Sequence, residues 1–249
     1  MPTSGRQPRG VFVTTSWDDG HVMDHRLAEL LATHGLPGTF YVAPRNVELA
    51  PEDRLDDKSL QTLAQRFEIG GHTLTHLRLT GLSDATALQE IKDGKDAIEQ
   101  IIASKLESFC YPGGEYAVQH PRMVADAGFS VGRTVRRWVS SCTPALEMDT
   151  TVNAYRHLVD GPAVVRLARG NLLVARRYYW NWDILAIALF EQILSRGSGI
   201  FHLWGHSWEI DKNGDWARLE RVLAYVGGRD DVEYVNNQEL AVRTTQQWP

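Results

Sequence analysis

Segments typical of strands alternate with segments typical of helices along almost the whole chain of 249 residues. Runs rich in β-branched and aromatic residues predict strands at residues 11–17, 38–43, 67–70, 106–111, 129–135, 152–159, 199–204 and 232–235. Apolar residues at helical spacing predict helices at residues 24–33, 57–65, 83–104, 121–127, 182–195, 216–226 and 236–244. The stretch 136–175 is expected to hold only short strands and loops, including the strand at 152–159.

This alternation, without a linker or a repeat, is typical of a parallel α/β sheet or barrel. We expect residues 11–249 to form one such domain after a polar lead-in at residues 1–10. Functional groups of these folds collect at the carboxyl ends of the strands. Four chemically suggestive clusters follow predicted strands and should therefore share one face: Asp18-Asp19, His72 with His76, Pro112-Gly113-Gly114, and Gly205-His206.

His72 and His76 would present both imidazoles on one face if their segment formed a helical turn. Neutral imidazole is the commonest protein ligand of a catalytic divalent metal, so the pair is a candidate for two metal ligands. Histidines that only form hydrogen bonds would give the same pattern. A zinc-type catalytic site also needs a third protein ligand and an open position.

Asp18 and Asp19 end the first predicted strand and precede Gly20, a pattern that is also typical of a solvated Asp-Gly turn. Beside the histidine pair, one carboxylate would complete an Asp/His/His ligand set and the other could accept a proton. The two carboxylates can differ in this way because a metal holds its own ligand ionised.

His202 and His206 lie on one face of a late predicted strand, together with Trp204. His206 is nearer the carboxyl end and is the better candidate for a general acid. His202 is expected to be buried and hydrogen-bonded.

The order and content of these clusters resemble the polysaccharide deacetylase family, carbohydrate esterase family 4. The similar segments are Ser16-Trp17-Asp18-Asp19-Gly20 with the first motif (Thr-Phe-Asp-Asp-Gly), His72-Thr73-Leu74-Thr75-His76 with the second (His-Ser/Thr-x-x-His), Pro112-Gly113-Gly114 with the end of the third (Arg-x-Pro-x-Gly), and residues 203–206 with the strand that carries the late histidine. Together they cover residues 11 to about 210.

The resemblance implies a distorted (β/α) barrel, similar to a TIM barrel but with seven parallel strands. It also implies roles for individual residues: Asp19, His72 and His76 as ligands of a divalent metal, Asp18 as general base, His206 as general acid, and Pro112, Tyr111, Trp204 and the Gly113 N–H on the oxyanion and substrate side. Zinc is the expected metal, with cobalt, nickel or iron as alternatives. The implied reaction is hydrolysis of an N- or O-acyl group of a carbohydrate by an activated water.

Two departures from the family pattern concern the base and the substrate. The arginine of the third motif, which in the family orients the base, falls at Cys110, and Arg133 at the end of the next predicted strand is a candidate replacement. The fourth motif, Asp-x-x-Asp-Trp, has no clear match. Neither departure touches the three expected metal ligands.

Composition excludes some classes of function. The net charge of −5 and the absence of a basic tract argue against nucleic-acid binding and against an anionic-membrane role. No apolar run is long enough to span a bilayer. The first ten residues lack an apolar signal core, which predicts a cytoplasmic protein, although a secreted protein with its signal removed would look the same. The oligomeric state is not predicted.

Three hypotheses remain at this level. The first is a metal-dependent deacetylase acting on an acylated sugar. The second keeps the site but has a small amide, a formamide or a cyclic amide as substrate. The third, from another class, is a sugar-binding or metal-binding barrel without activity, which would have no need for a spare base at Asp18.

Overall fold

The computed structural model describes residues 7–246 and shows a parallel sheet with helices packed around it. The strands are β1 (Val11–Trp17), β2 (Thr39–Val42), β3 (Glu68–Gly71), β4 (Ser108–Cys110), β5 (Val131–Arg133), β6 (Val152–Asn153), β7 (Gly199–Gly205) and β8 (Glu233–Tyr234). The helices are α1 (Asp24–Thr33), α2 (Asp57–Ala64), α3 (Asp84–Ile102), α4 (His120–Asp126), α5 (Gly161–Leu167), α6 (Leu172–Trp180), α7 (Trp182–Arg196), α8 (Ser207–Asn213), α9 (Trp216–Val226) and α10 (Asn237–Gln246). Among these residues, no helix is both long and apolar enough to cross a membrane.

Seven strands follow one another across the curled sheet in the order β5-β4-β3-β2-β1-β7-β6, and every pairing is parallel. The short β8 pairs separately with the first half of β1. The prediction of a distorted (β/α) barrel with seven parallel strands is therefore confirmed. Parallel pairing places the carboxyl ends of all these strands at one edge, where the predicted clusters lie.

The gap between β5 and β7 is bridged by one segment, residues 148–154, which we call the seam. At its start, the Met148 N–H donates to the carbonyl of Gly132 at 2.7 Å. At its end, the N–H of Thr151 donates to the carbonyl of His202 at 3.0 Å, and β6 continues the pairing with β7. The seam thus contacts one edge of the sheet first and the other edge afterwards.

The two longest strands, β1 and β7, lie next to each other and are buried at every position. Such continuous burial is expected for central parallel strands covered on both faces. A large apolar cluster fills the space between the sheet and the helices, and a smaller one around Phe12 and Leu240 lies beneath α10. This rigid centre carries the residues that follow β1 and β7.

The region 136–175 differs from the sequence prediction. The strand predicted at 152–159 is wrong beyond Asn153, and the chain continues into α5 and α6. These helices of seven and nine residues have little room to show a helical period, and their apolar residues are partly exposed. The predicted lead-in falls partly on residues 1–6, which lie outside the described residues, and Pro8 within it is buried.

Candidate active site

The candidate site lies where β1, β3, β5 and β7 end. Asp18 and Asp19 follow β1, His72 follows β3, Arg133 is the last residue of β5, and His206 follows β7. The N–H of Asp18 donates to the carbonyl of Gly205 at 3.1 Å, which fixes the end of β1 beside the end of β7. Residues far apart in sequence are therefore delivered to one place by the parallel sheet.

Asp19, His72 and His76 form a buried group whose ligand atoms face one another. The Oδ1 atom of Asp19 lies 3.2 Å from Nε2 of His76 and 3.7 Å from Nε2 of His72. Ligands about 2.0–2.2 Å from a tetrahedral ion are roughly 3.3–3.6 Å apart, so these spacings suit one small divalent cation.

The chemical states of Asp19 and His72 also fit metal ligands. Asp19 Oδ1 is buried and has no hydrogen-bond partner within residues 7–246, an arrangement that is costly unless a cation or a proton donor approaches it. His72 Nδ1 donates to the carbonyl of Cys110 at 2.8 Å, which leaves the lone pair on Nε2 free to coordinate. Burial, and then the nearby His76, lowers the pKa of His72 to about 4, so its imidazole is neutral at pH 7.

The histidine pair is brought together by a loop, and the expectation of a helical turn is wrong. Residues 72–76 follow β3 without forming a helix, and both Thr73 (φ 62°) and His76 (φ 69°) are left-handed. Asp19 is also left-handed, with φ 84°. Left-handed backbone is uncommon for residues other than glycine and is found where surrounding structure enforces a functional geometry.

Helix α3 supports this loop from outside. The N–H of Leu74 donates to the carbonyl of Glu90, and the Glu90 carboxylate accepts hydrogen bonds from the N–H and the hydroxyl of Thr75. Gly94 of α3 lies so close that a Cβ there would be 2.5 Å from the carbonyl carbon of Thr73. The histidine loop is thus held by α3 on one side, and the N–H groups of Arg45 and Val47 donate to the carbonyls of Leu74 and Thr75.

Asp18 is paired with Arg133, and both side chains are buried. Burial alone would raise the pKa of Asp18, but the charges of Arg133, His72 and His206 outweigh it and lower the pKa below its ordinary value. Cys110, at the position of the family's arginine, places Sγ 3.8 Å from Asp18 Oδ2. The guanidinium that pairs with Asp18 therefore comes from β5, the strand next to that of Cys110.

His206 faces both aspartates from the other side. Its Nε2 lies 4.0 Å from Asp18 Oδ2 and 3.9 Å from Asp19 Oδ2, while its Nδ1 lies 3.2 Å from the carboxylate of Glu209. Burial lowers the pKa of His206, but Glu209, Asp19 and Asp18 together raise it to about 9. Without a cation in the site, His206 is therefore protonated at neutral pH.

His202 and Trp204 of β7 are directed into the protein. His202 is buried and its Nε2 is 2.8 Å from the hydroxyl oxygen of Ser16, so it is enclosed and hydrogen-bonded. Trp204 is also buried, and the Arg133 guanidinium lies 4.7 Å from its ring centroid. Trp204 therefore contacts the partner of Asp18 and is not exposed to a substrate.

The turn after β4 has one exposed residue that could face a substrate. Gly113 is exposed, has φ 62°, and follows the buried Pro112. Tyr111 is buried and its hydroxyl donates to the carbonyl of Leu146 at 2.8 Å. The Tyr111 side chain is therefore enclosed in the fold, and its place on the oxyanion and substrate side stays a prediction.

Sequence reasoning missed three side chains that contact the predicted residues. The indole N–H of Trp208 donates to Asp19 Oδ2 at 2.7 Å, and a Glu48 carboxylate oxygen lies 3.1 Å from His76 Nδ1. Glu209 contacts His206 directly. Trp208 and Glu209 are close to His206 in sequence, but no periodic pattern predicts which way their side chains point.

A buried carboxyl lies beneath the site. Asp24, at the start of α1, accepts a 2.6 Å hydrogen bond from the hydroxyl of Ser207, the residue after His206. Its other oxygen has no partner among the described residues. Burial, and then the charges of Asp19 and Asp18, raises the pKa of Asp24 to about 8, although the hydrogen bond from Ser207 opposes that rise.

Comparison with known proteins gives one family match. Residues 5–132 match the family described as polysaccharide deacetylase. This span includes Asp18, Asp19, both loop histidines and the turn after β4, and it ends one residue before Arg133. No curated protein matches this chain.

Three solved structures share the fold at low identity. A candidate polysaccharide deacetylase of Mycobacterium smegmatis is 17% identical over 99% of this chain and 94% of its own, with a TM-score of 0.66. The peptidoglycan deacetylase PdaC of Bacillus subtilis is 14% identical over 96% of this chain and 94% of its own, with a TM-score of 0.54. The deacetylase PplD of Streptococcus pyogenes, in complex with acetate, is 20% identical over 55% of this chain and 62% of its own, with a TM-score of 0.51.

Proposed function

Because the chain belongs to the polysaccharide deacetylase family, whose members hydrolyse amide or ester bonds of carbohydrates, we propose that it removes N- or O-acyl groups from a carbohydrate with the help of a divalent metal. The observation that carries the proposal is the buried, unpartnered Oδ1 of Asp19 facing two imidazole nitrogens. The family match supports the reaction class, and this group supports the dependence on a metal.

Asp19, His72 and His76 would hold the ion, for which zinc fits the donor set and cobalt, nickel or iron are alternatives. When bound, a divalent cation supplies Lewis acidity and an acidified water molecule. Trp208 fixes the carboxylate of Asp19, and Cys110 fixes the tautomer of His72. This chain thus provides hydrogen bonds that hold the proposed metal ligands in place.

Asp18 accepts the proton of the attacking water in this proposal. Arg133 keeps its pKa low, so the carboxylate is ionised at any working pH, although with reduced basicity. The ion pair also fixes the direction of the carboxylate, because Arg133 is buried and lies close to the Trp204 ring. The fixed position of the Asp18 carboxylate would offset its reduced basicity, because a bound metal would already make the attacking water more acidic.

His206 donates a proton to the leaving amine or alcohol. Its Nδ1 contact with Glu209 leaves the Nε2–H directed toward the two aspartates, where the reacting group must sit. An amine leaves poorly unless it is protonated, so an acid opposite the base is required. The exposed Gly113 N–H is the proposed donor to the oxyanion from the third side.

The alternatives are less well supported. A small cyclic amide or formamide would use the same groups, but nothing in the site favours it over a carbohydrate. A binding protein without activity would not need a buried Asp18–Arg133 pair beside the metal group, because burying two charges is costly.

The test compares Asp18→Asn with His76→Ala. We expect Asp18→Asn to bind one equivalent of zinc, as the wild type does, but to release acetate from acetylated oligosaccharides about 10²–10⁴-fold more slowly. His76→Ala should lose both zinc binding and activity. Metal content is measured by elemental analysis and acetate by an enzyme-coupled assay.

His25→Ala is a matched control. His25 lies on α1, the helix that follows β1, and belongs to no predicted set of metal ligands. It should leave zinc binding and turnover unchanged. Full activity of Asp18→Asn would contradict the assigned base. Zinc and sugar binding by the wild type without release of any acyl group would favour the binding protein, and release from cyclic amides alone would favour the small-amide substrate.

A further inference from the structure

Helices α5 and α6 form a hairpin with an exposed apolar tip. Five consecutive residues at the turn, 169–173, are exposed. Leu172 and Leu173 within them expose 74% and 79% of their surface, and Trp180 at the end of α6 exposes 54%. Single exposed leucines are ordinary, but two adjacent ones and a tryptophan on one short helix form an apolar patch.

The same hairpin is strongly basic. Residues 161–182 contain no aspartate or glutamate and four exposed arginines: Arg166, Arg169, Arg176 and Arg177. None of the four forms a salt bridge with a carboxylate of residues 7–246. The flanking acidic residues are already paired, Asp160 with Arg137 and Asp183 with Arg221.

A neighbouring cavity extends the basic surface. It has a volume of about 330 Å³ and is lined by Arg166, Arg169 and Arg196, with Trp138 on its wall and no carboxylate among its lining residues. Guanidinium groups bind phosphate oxygens through paired hydrogen bonds. Three arginines around one cavity therefore fit an anionic headgroup better than a neutral ligand.

The hairpin starts from the edge of the sheet that carries the candidate active site. The chain leaves β6 beside the end of β7, where the N–H of Ala154 donates to the carbonyl of Trp204. His157, on the way to α5, lies near enough to Glu209 and His206 for their charges to affect its pKa, which burial lowers. The base of the hairpin thus lies at the site's edge of the sheet, whereas its tip lies with Arg196, three residues before β7 begins.

We propose that the α5–α6 hairpin docks the protein on the surface of a bilayer that contains anionic phospholipid. Leucine and tryptophan enter the boundary between headgroups and acyl chains, and the surrounding arginines bind the phosphates. The net charge of −5, which argues against an anionic-membrane role for the chain as a whole, is an average over all residues, whereas a surface segment responds to its local charge.

The other occupants fit less well. A second copy of this chain, seated patch against patch, would bring four arginines against four without an intervening acid. A soluble polyanion would satisfy the arginines but would leave the two leucines and the tryptophan in water. Only a bilayer surface satisfies both halves of the patch.

The test uses the full chain and vesicles of phosphatidylcholine, with or without phosphatidylglycerol at about one third of the lipid. We expect sedimentation with the anionic vesicles, weak binding to the neutral ones, and loss of binding as salt rises, because the arginine contacts are screened. Arg176→Gln/Arg177→Gln and Leu172→Gln/Leu173→Gln should each weaken binding at least about tenfold.

A matched control changes an exposed arginine and an exposed apolar residue elsewhere. Arg122→Gln/Val118→Gln, on and before α4, should bind anionic vesicles as the wild type does. Fluorescence of Trp180 should shift to shorter wavelength with anionic vesicles, and Trp180→Phe should lose that shift. All these substitutions are at exposed positions and should leave far-ultraviolet circular dichroism unchanged.

Three results would overturn the proposal. One is the absence of binding to anionic vesicles at low salt. Another is a concentration-dependent dimer that the leucine substitutions abolish, which would assign the patch to a second copy. The third is binding of a soluble polyanion such as polyglutamate, with the arginine variant affected and the leucine variant unaffected. None of these outcomes depends on whether the active site is functional.

Discussion

The buried pair of Asp18 and Arg133 makes two residues from distant strands depend on each other. Neither charge is exposed to water, and each lowers the cost of burying the other. The pair joins the end of β1 to the end of β5 across the interior of the sheet. The contribution of this pair to the free energy of unfolding can therefore be measured separately from any contribution to catalysis.

Arg133→Gln should reduce the free energy of unfolding by about 3–5 kcal/mol, because it leaves an unpaired buried carboxylate. Asp18→Asn/Arg133→Gln should recover part of that loss, since no charge is then buried. Urea denaturation of the wild type, both single variants and the double variant gives the coupling free energy. Additive losses in this cycle would show that the two charges do not depend on each other.

Asp24 predicts a pH dependence of stability. Its pKa is raised to about 8 in the folded protein, whereas an unfolded aspartate titrates near about 3.9. Between these values the unfolded chain releases the proton that the folded chain keeps, so this stabilisation is full below about pH 4 and is lost as pH rises toward about 8. Asp24→Asn cannot ionise, and it should remove a pH-dependent change on the order of a few kcal/mol.

The measurement is urea unfolding of metal-free protein between pH 5 and pH 9. Ser207→Ala is the control, because it removes the hydrogen bond to Asp24 but leaves the carboxyl able to titrate. Parallel stability profiles for wild type and Asp24→Asn would show that Asp24 keeps an ordinary pKa in the fold.

At the scale of residues, the sequence predicted those side chains that lie in short motifs. Asp18, Asp19, His72 and His76 could be found because adjacent positions carry related chemistry. Arg133 could be suggested only from its place at a strand end. The contacts of Trp208 and Glu48 depend on how separate loops meet in space, and no local pattern records that.

Helix α3 is the helix that supports the histidine loop. Glu90 binds the loop through three hydrogen bonds, and Gly94 allows the helix to approach its backbone. A methyl group at position 94 would lie 2.7 Å from the nitrogen of Leu74. Because backbone atoms cannot rotate away, the helix or the loop would have to move.

Gly94→Ala should therefore destabilise the protein by about 1–3 kcal/mol and weaken zinc binding, even though alanine favours helix by up to about 1 kcal/mol. Gly81→Ala is the control, since no atom lies within 4 Å of a Cβ there and its backbone is not left-handed. Thermal unfolding and zinc titration measure the two effects. Greater stability with unchanged zinc affinity would show that the loop tolerates displacement.

The long helices were predicted well, and the helices that were missed are short. The helix predicted at 83–104 corresponds to α3, which begins after its N-cap Ser83, whose hydroxyl accepts from the N–H of Thr86. Helices α5, α6 and α8 were missed. Each spans at most nine residues, and in α5 and α6 exposed apolar side chains obscure the division into buried and solvent faces.

For the whole molecule, the alternation of strand and helix patterns predicted the parallel sheet but not how its two edges are joined. Pairing of the seam with β5 and then with β7 results from the curl of the complete sheet. Strand β1 is held by neighbours on both sides, whereas the seam makes only a few hydrogen bonds to each edge. On the β5 side the seam is joined to the sheet by an isolated bridge between Arg133 and Met148 and not by a continuous ladder.

We expect the amides of Met148 and Thr151 to exchange with solvent through local opening, faster than those of β1, which need global unfolding. Hydrogen exchange followed by mass spectrometry on peptides covering 145–152 and 11–17 measures this difference. Equal protection of the two segments at low denaturant would show that the seam opens only when the whole sheet unfolds.

The seam also separates two groups of proposed site residues along the sequence. Every proposed metal ligand, the base and its arginine precede residue 134, whereas the acid and the tryptophan that binds Asp19 follow residue 203. A chain cut at 141–144 would yield two fragments, and each would lack the proposed site residues that the other contains. Recovered turnover would then report their reassembly, so this fold is suited to conversion into a fragment-complementation sensor.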